Sequence, residues 1–298
     1  MKYFVFVLSV GIMLTGCDLF NPEEELPIYV SIEDPLVEIR AQPSLFSAAG
    51  IKDAWVFLQN EQIGVFEMPV VVPVLPNESG TTLRIGGGVF ETGLSGFRLE
   101  YPFWDDVNLS LDGALPLDTV VVRPRFRYFP RDTSLVYAYE AGFEGGSTNI
   151  ESLTPTSNHT TIQVSTEDKF VGLQSGKVNF TSTRFQFEGV SPLLSLPQTG
   201  FNDIWCEVSY RNDIPFTVLM VGLAPGSPIE VELPTNVVFS SPNEWNTAYI
   251  HLNDLARSLP AGAVFKLIFR ASSLEAGTSS GRNGFLFLDH IRLIHFSE

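Results

Sequence analysis

The chain has 298 residues, 44% of them hydrophobic and 12% aromatic, with a charged fraction of only 17%. That is ample apolar side chain for packed cores and excludes a disordered chain, and the length suits two domains of ordinary size. A formal net charge of −16 excludes nucleic acid as a partner, because phosphate contacts need clustered Lys and Arg.

Lys2 makes a short basic start, Tyr3 to Leu14 is an almost unbroken apolar run, and Leu14-Thr15-Gly16-Cys17 follows. The run is too short to span a bilayer comfortably and reads as the apolar core of an export signal. Its last four residues resemble the lipobox of bacterial lipoproteins, whose cysteine receives a diacylglyceryl group before the chain is cut ahead of it. The resemblance implies a signal peptide over residues 1–16, lipidation at Cys17, and a membrane-tethered mature chain in the bacterial cell envelope, at the outer membrane. Residues 17–27 read as a tether, with Glu23, Glu24 and Glu25 between Pro22 and Pro27 keeping it extended and solvated. In some diderm bacteria, acidic residues just after the lipid cysteine resemble a signal for surface display, so the external and the periplasmic leaflet both stand as readings. Lipidation would consume one of the two cysteines, leaving Cys206 without an intramolecular disulfide partner.

From Ile28 onward, short apolar stretches alternate with turn residues. Strands are expected at Tyr29–Ile32, Ala54–Leu58, Ile63–Phe66, Val70–Val72, Thr82–Ile85, Phe97–Glu100 and Thr119–Val122, with a hairpin turn at Gln59-Asn60-Glu61-Gln62. Pro73, Pro76, Asn77, Gly80 and the triplet Gly86-Gly87-Gly88 read as breaks between them. This pattern predicts a small β-sandwich over residues 28–127. Asp53–Phe57, Ile63–Pro69 and Tyr101-Pro102-Phe103-Trp104 look like the amino-terminal sandwich of a group of bacterial lipoproteins. That sandwich in turn resembles carboxypeptidase regulatory-like or immunoglobulin-like modules, which implies architecture only.

Arg123 to Arg131, with two prolines, marks the junction. Residues 132–298 return to strand signals at Leu135–Glu140, Thr161–Val164, Gly176–Phe180, Arg184–Phe187, Ile204–Tyr210, Phe216–Val221, Ile229–Leu233, Trp245–Leu252, Val264–Phe269 and Phe285–Ile294. Ser147 to His159 reads as an exposed loop. Leu252, Leu255 and Leu259, ahead of Pro260, predict one short surface helix. Phe143-Glu144-Gly145-Gly146, Glu207–Arg211, Trp245–Ile250 and the closing Phe287–Leu293 are similar to bacterial jelly-roll domains of the galactose-binding-like or carbohydrate-binding-module type. The expected fold is therefore all-β: two tandem β-sandwiches, the second a jelly roll.

Chemistry is sparse. Of the four histidines, His159 lies in a polar loop and His251 beside Leu252, while His290 and His295 are an odd number of positions apart and point to opposite faces of a regular strand. Asp289 beside His290 forms no triad, since adjacent strand residues diverge and no Gly-x-Ser-x-Gly elbow is present. Asp105 with Asp106, Glu140 with Glu144, and Glu230 with Glu232 are paired carboxylates that read as solvated edges or caps rather than glycosidase pairs. Glu144 and Asp289 admit two readings, ligands of a structural calcium or caps on backbone amides. Cys206 shares a face with Ile204, Val208 and Tyr210, and reads as an inert core thiol.

Trp205 falls on the opposite, polar side with Glu207, Ser209 and Arg211. Either it is covered by a loop or the other domain, or with Arg211 it forms a platform for stacking a sugar ring, and Trp104 is a second such candidate. Trp55 and Trp245 read as core. Arg123, Arg125 and Arg127 alternate on one strand face, with Arg131 beyond, and are expected to pair with acidic residues across the domain interface or to bind anions. No catalytic centre is expected. The sequence describes a membrane-anchored envelope lipoprotein with a binding or structural role, holding a protein partner or a glycan. Alternatives are a surface carbohydrate-binding lipoprotein of a polysaccharide-uptake system and, more remotely, a glycoside-active enzyme.

Overall fold

A computed structural model describes residues 25–39, 42–47, 50–75, 82–91, 96–130, 134–198, 203–235 and 239–297. Cys17, the leader, most of the tether and Arg131 lie outside the described residues. No helix among the described residues is long and apolar enough to cross a membrane.

The chain is all-β. The amino-terminal unit is built from three small sheets. In one, Ile28–Ile32 pairs in parallel with Thr119–Val122 and antiparallel with Val70–Val74. In the largest, Asp53–Leu58 lies between Glu61–Glu67 and Thr82–Phe90, which also pairs with Arg98–Glu100 and Val107–Ser110. Their inner faces bury Val30, Ile32, Val56, Val72, Leu83 and Ile85, the alternate positions of period-two strands. The expected hairpin forms, with Gln59 at φ 49° and Asn60 at φ 73°, the left-handed pair that a tight two-residue loop requires.

Gly86-Gly87-Gly88 is not a break. It lies inside the strand Thr82–Phe90, because the space for side chains there is already taken. A Cβ on Gly87 would come within 2.9 Å of the Trp104 ring, and one on Gly88 within 2.7 Å of Trp55 Nε1.

The carboxy-terminal unit is a jelly-roll-like sandwich in which long strands run from one layer into the other. Its axis is a 20-residue strand, Ile204–Leu223, flanked by Gly284–Phe296, Val264–Ser272 and Phe239–His251. The sequence pattern predicts two strands here, divided at Arg211-Asn212-Asp213-Ile214-Pro215. The strand continues because the buried Asn212 side chain bridges the irregular stretch. Its amide donates to Ile214 O at 2.8 Å and Phe239 O at 3.0 Å, and its carbonyl accepts from Ser241 N at 2.8 Å. The stretch from Ser147 to His159 carries short strand segments at Glu151–Ser152 and His159–Thr160 rather than loop throughout. The short helix is present at Asn253–Arg257, with Leu255 and Leu259 packed on the core and Leu252 within it.

The second unit has a core of its own, and a further apolar cluster is shared between the two units. Trp205, Tyr249 and Ile294 of the second belong to the same buried cluster as Tyr101, Phe103, Trp104 and Phe126 of the first, and Glu91 bridges to Tyr249.

Candidate functional site

The sequence-selected tryptophans do not make the site. Trp205 is 1% exposed and Trp104 4%, so neither presents a ring to a ligand. Trp205 is covered by the first unit, with its ring 5.2 Å from Tyr101 and stacked 4.6 Å from His251. Trp104 packs 4.4 Å from Tyr101 and 5.6 Å from Tyr249. Glu207 and Ser209, on the same side of the strand as Trp205, are fully buried as well. Glu207 pairs with Arg292, accepts from Tyr101, and accepts from Tyr128 at 2.9 Å, while Arg292 donates to Tyr128 Oη at 2.8 Å. Burial pushes the Tyr101, Tyr128 and Tyr249 phenols up, which keeps them neutral donors.

The arginine stripe is on an exposed strand face. Arg123, Arg125 and Arg127 are exposed while Pro124, Phe126 and Tyr128 between them are buried, and Arg123 donates to Asp34 O at 3.1 Å. Phe126 and Tyr128 occupy the core-facing positions, so the strand pleat turns the guanidinium groups outward.

Glu144 and Asp289 cap backbone amides. Asp289 accepts from Phe170 N at 3.0 Å, Val171 N at 3.1 Å and His290 N at 2.8 Å. Glu144 accepts from Leu173 N at 2.8 Å and Gln174 N at 3.1 Å. Five backbone N–H groups thus converge on three of the four carboxyl oxygens, the geometry of the amide-cap reading. Burial raises the Asp289 carboxyl to about 6, against the lowering effect of those amides. Together the two carboxylates fix the loop over residues 166–174 against the closing strand.

Of the remaining paired carboxylates, Asp106, Glu230 and Glu232 are engaged as charge partners. Asp106 and Glu100 both accept from Arg84, at 2.7 and 2.9 Å. Glu230 pairs with Lys266 at 2.7 Å and Glu232 with Arg270 at 2.9 Å. Cys206 is fully buried in the core, and burial pushes its thiol far up.

What the fold does assemble is an aromatic and polar face on the outside of the second sandwich, beneath the loop over residues 166–174. Strand register sets Gln163, Lys177, Phe287 and Arg211 side by side across four strands. Asn179 and Phe285 form the next row. The alternate residues Val178, Leu286 and Leu288 point into the core. Trp245, expected in the core, is half-buried at the edge of this face. Its ring lies 6.2 Å from Phe287 and 6.0 Å from Phe170, and its Nε1 donates to Asp168 Oδ1 at 3.0 Å.

Asp168 also pairs with Arg211. Burial works to raise its carboxyl, but the bonds from Trp245 and Arg211 outweigh that and hold it below the usual range. The Arg211 guanidinium lies 5.4 Å from the Phe285 ring centre, and Lys177 Nζ lies 5.4 Å from that of Phe287. Of the residues singled out from sequence, Arg211 alone belongs to this face. Trp245 reads as core from sequence because Ala248 and Ile250 after it are core, whereas Ser240, Pro242, Asn243 and Glu244 before it are exposed.

No protein-family model matches the chain, and no curated protein matches it. Among solved structures it is similar to carbohydrate-binding modules. One, from the β-sandwich superfamily and described for promiscuous specificity, has 11% identity and a TM-score of 0.42, and the match covers 91% of this chain and 99% of that one. A xylan-binding domain of family 22 has 14% identity and a TM-score of 0.37, over 54% of this chain and 95% of that one. The first family 22 xylan-binding domain of Paenibacillus barcinonensis Xyn10C has 12% identity and a TM-score of 0.37, over 54% and 94%. Such likeness is too distant to carry residues from one chain to the other.

Proposed function

We propose that this protein is a membrane-anchored envelope lipoprotein that holds a glycan on the outer face of its second sandwich and catalyses no reaction. The observation that carries this reading is Trp245, half-buried, with its indole N–H tied to Asp168 and Arg211 and Phe287 beside it. A sugar ring offers C–H faces that stack on aromatic planes and hydroxyls that meet charged and amide groups. Trp245 and Phe285 supply the first, and Arg211, Lys177, Asn179 and Gln163 the second. Because Arg211 is neutralised by Asp168 and Lys177 by Glu167, the face suits a neutral glycan better than an acidic one. Cys17, through its lipobox-like context, would hold that face close to the membrane, which supports a role in capturing polysaccharide there.

A glycan array on the soluble form beginning at Asp18 tests the reading, followed by titration calorimetry with the best neutral oligosaccharide. Trp245→Ala is expected to weaken binding at least tenfold while leaving the far-ultraviolet spectrum unchanged. Equal affinity in wild type and variant, or no glycan bound anywhere on the array, refutes it. Mass spectrometry of the host-processed protein tests the anchor separately, and an unmodified Cys17 would remove it.

A further inference from the structure

The outer face of the sheet formed by Thr119–Val122, Ile28–Ile32 and Val70–Val74 carries no charged side chain at its six outward positions, in a chain of net charge −16. Val121, Ser31 and Val71 form one row across the three strands, and Thr119, Tyr29 and Pro73 the next. Val121 is 60% exposed and Val71 55%. A third row continues past the strand ends, where Leu117 N donates to Pro27 O at 2.8 Å and Leu75 follows Val74. At this end exposed leucines gather: Leu26 at 52%, Leu75 at 53%, Leu115 at 67% and Leu117 at 57%. The opposite end of the face turns polar at Glu33 and Arg123.

Leu117 carries the sharpest signal. It occupies the third position of a turn closed by Asp118 N donating to Leu115 O at 3.0 Å, with φ 71°. Glycine or asparagine ordinarily fills that position, because a side chain crowds the backbone in the left-handed conformation. A leucine held there, and held in solvent, serves neither turn nor core. Backbone strain of this kind concentrates at functional surfaces.

We infer that this leucine-tipped face rests on a lipid bilayer of zwitterionic headgroups. The inference depends on the anchoring of Cys17 proposed above. Leu26 is nine positions beyond Cys17, and nine residues span at most about 30 Å, so an acylated Cys17 keeps the leucines within reach of the membrane surface. The apolar gradient runs in the matching sense, strongest where the chain enters from the tether. Exposed Leu and Tyr suit the boundary between headgroups and acyl chains. The net charge disfavours both an anionic leaflet and a second copy of this chain.

The test uses protein beginning at Cys17, coupled through that thiol to a maleimide lipid in a phosphatidylcholine bilayer. Cys206 is buried and out of reach. Neutron reflectometry then reads the height of the protein above the headgroups. The native chain is expected to lie flush, and the triple variant Leu26→Ser, Leu75→Ser, Leu117→Asn to stand off behind a resolvable water layer with its thermal midpoint not lowered. Equal heights overturn the inference. So does a dimer of the soluble form, seen by analytical ultracentrifugation and abolished by the same substitutions, which would assign the face to a second copy. Because the coupling is chemical, the height measurement is independent of whether the host acylates Cys17. An unmodified Cys17 would remove the premise, whereas equal heights would remove the inference alone.

Discussion

Arg292 is a guanidinium taken out of water by both units, with Glu207 beside it and two of its nitrogens, Nε and Nη1, without hydrogen-bond partners. Such a pair contributes little net stability while intact but is costly to halve, because the surviving charge stays buried. Arg292→Met is therefore expected to lower unfolding stability by about 3–5 kcal/mol, and adding Glu207→Gln should recover part of that loss in urea titrations. Leu117→Gly should move the other way, stabilising the chain by about 1 kcal/mol by releasing a left-handed leucine, with thermal denaturation as the readout. Cys206 was legible from alternation, since the thiol sits among Ile204, Val208 and Tyr210. Glu207 was not, because alternation separates two strand faces without telling which one meets water.

At the scale of elements, strand positions followed from apolar runs and turn residues, as did the hairpin turn at Gln59 to Gln62, which the structure tightens to Gln59 and Asn60. The misreadings share one cause, a residue whose local preference yields to a neighbour distant in sequence. Gly86-Gly87-Gly88 has the composition of a loop, yet Trp104 and Trp55 need the volume that side chains would fill. Gly87→Ala should thus destabilise by about 1–3 kcal/mol through overpacking, measurable as a lower urea midpoint. Arg211 to Pro215 reads as a turn, yet Asn212 replaces the missing ladder bonds from within the sandwich. Trp245, expected in the core, lies at the surface, and Trp205 takes the covered one of its two expected environments, because the first unit covers one side of the long strand near Ile204 and leaves the side near Arg211 open.

Across the whole molecule, the interface decides behaviour. Separated from the first unit, residues 134–298 would expose Trp205, Glu207, Tyr249 and Arg292, and that fragment is expected to aggregate or to unfold at lower temperature than the full chain in calorimetry. His251 belongs to the same contact, with Nδ1 2.9 Å from Glu91 of the first unit and Nε2 3.5 Å from Asp203. Burial works to lower its pKa, and the two carboxylates overcome that and raise it above 6.5. A raised folded-state value means that the folded protein holds the proton more tightly. The resulting stabilisation is complete below about 6.5, the histidine's unfolded value, and is lost as pH rises through the higher folded value. The thermal midpoint should therefore fall between pH 6 and pH 9, and His251→Gln should flatten that part of the profile.

The order of side chains along the chain was sufficient to determine an all-strand protein, a helix of one or two turns and a buried thiol, because each depends on periodicity. Which face of a strand stays in water depends on what packs against it from elsewhere. Only the tertiary structure could decide between the covered and the open reading of Trp205, turn Trp245 into surface, give Asp289 and Glu144 to backbone amides, and leave a charge-free face beside Leu26.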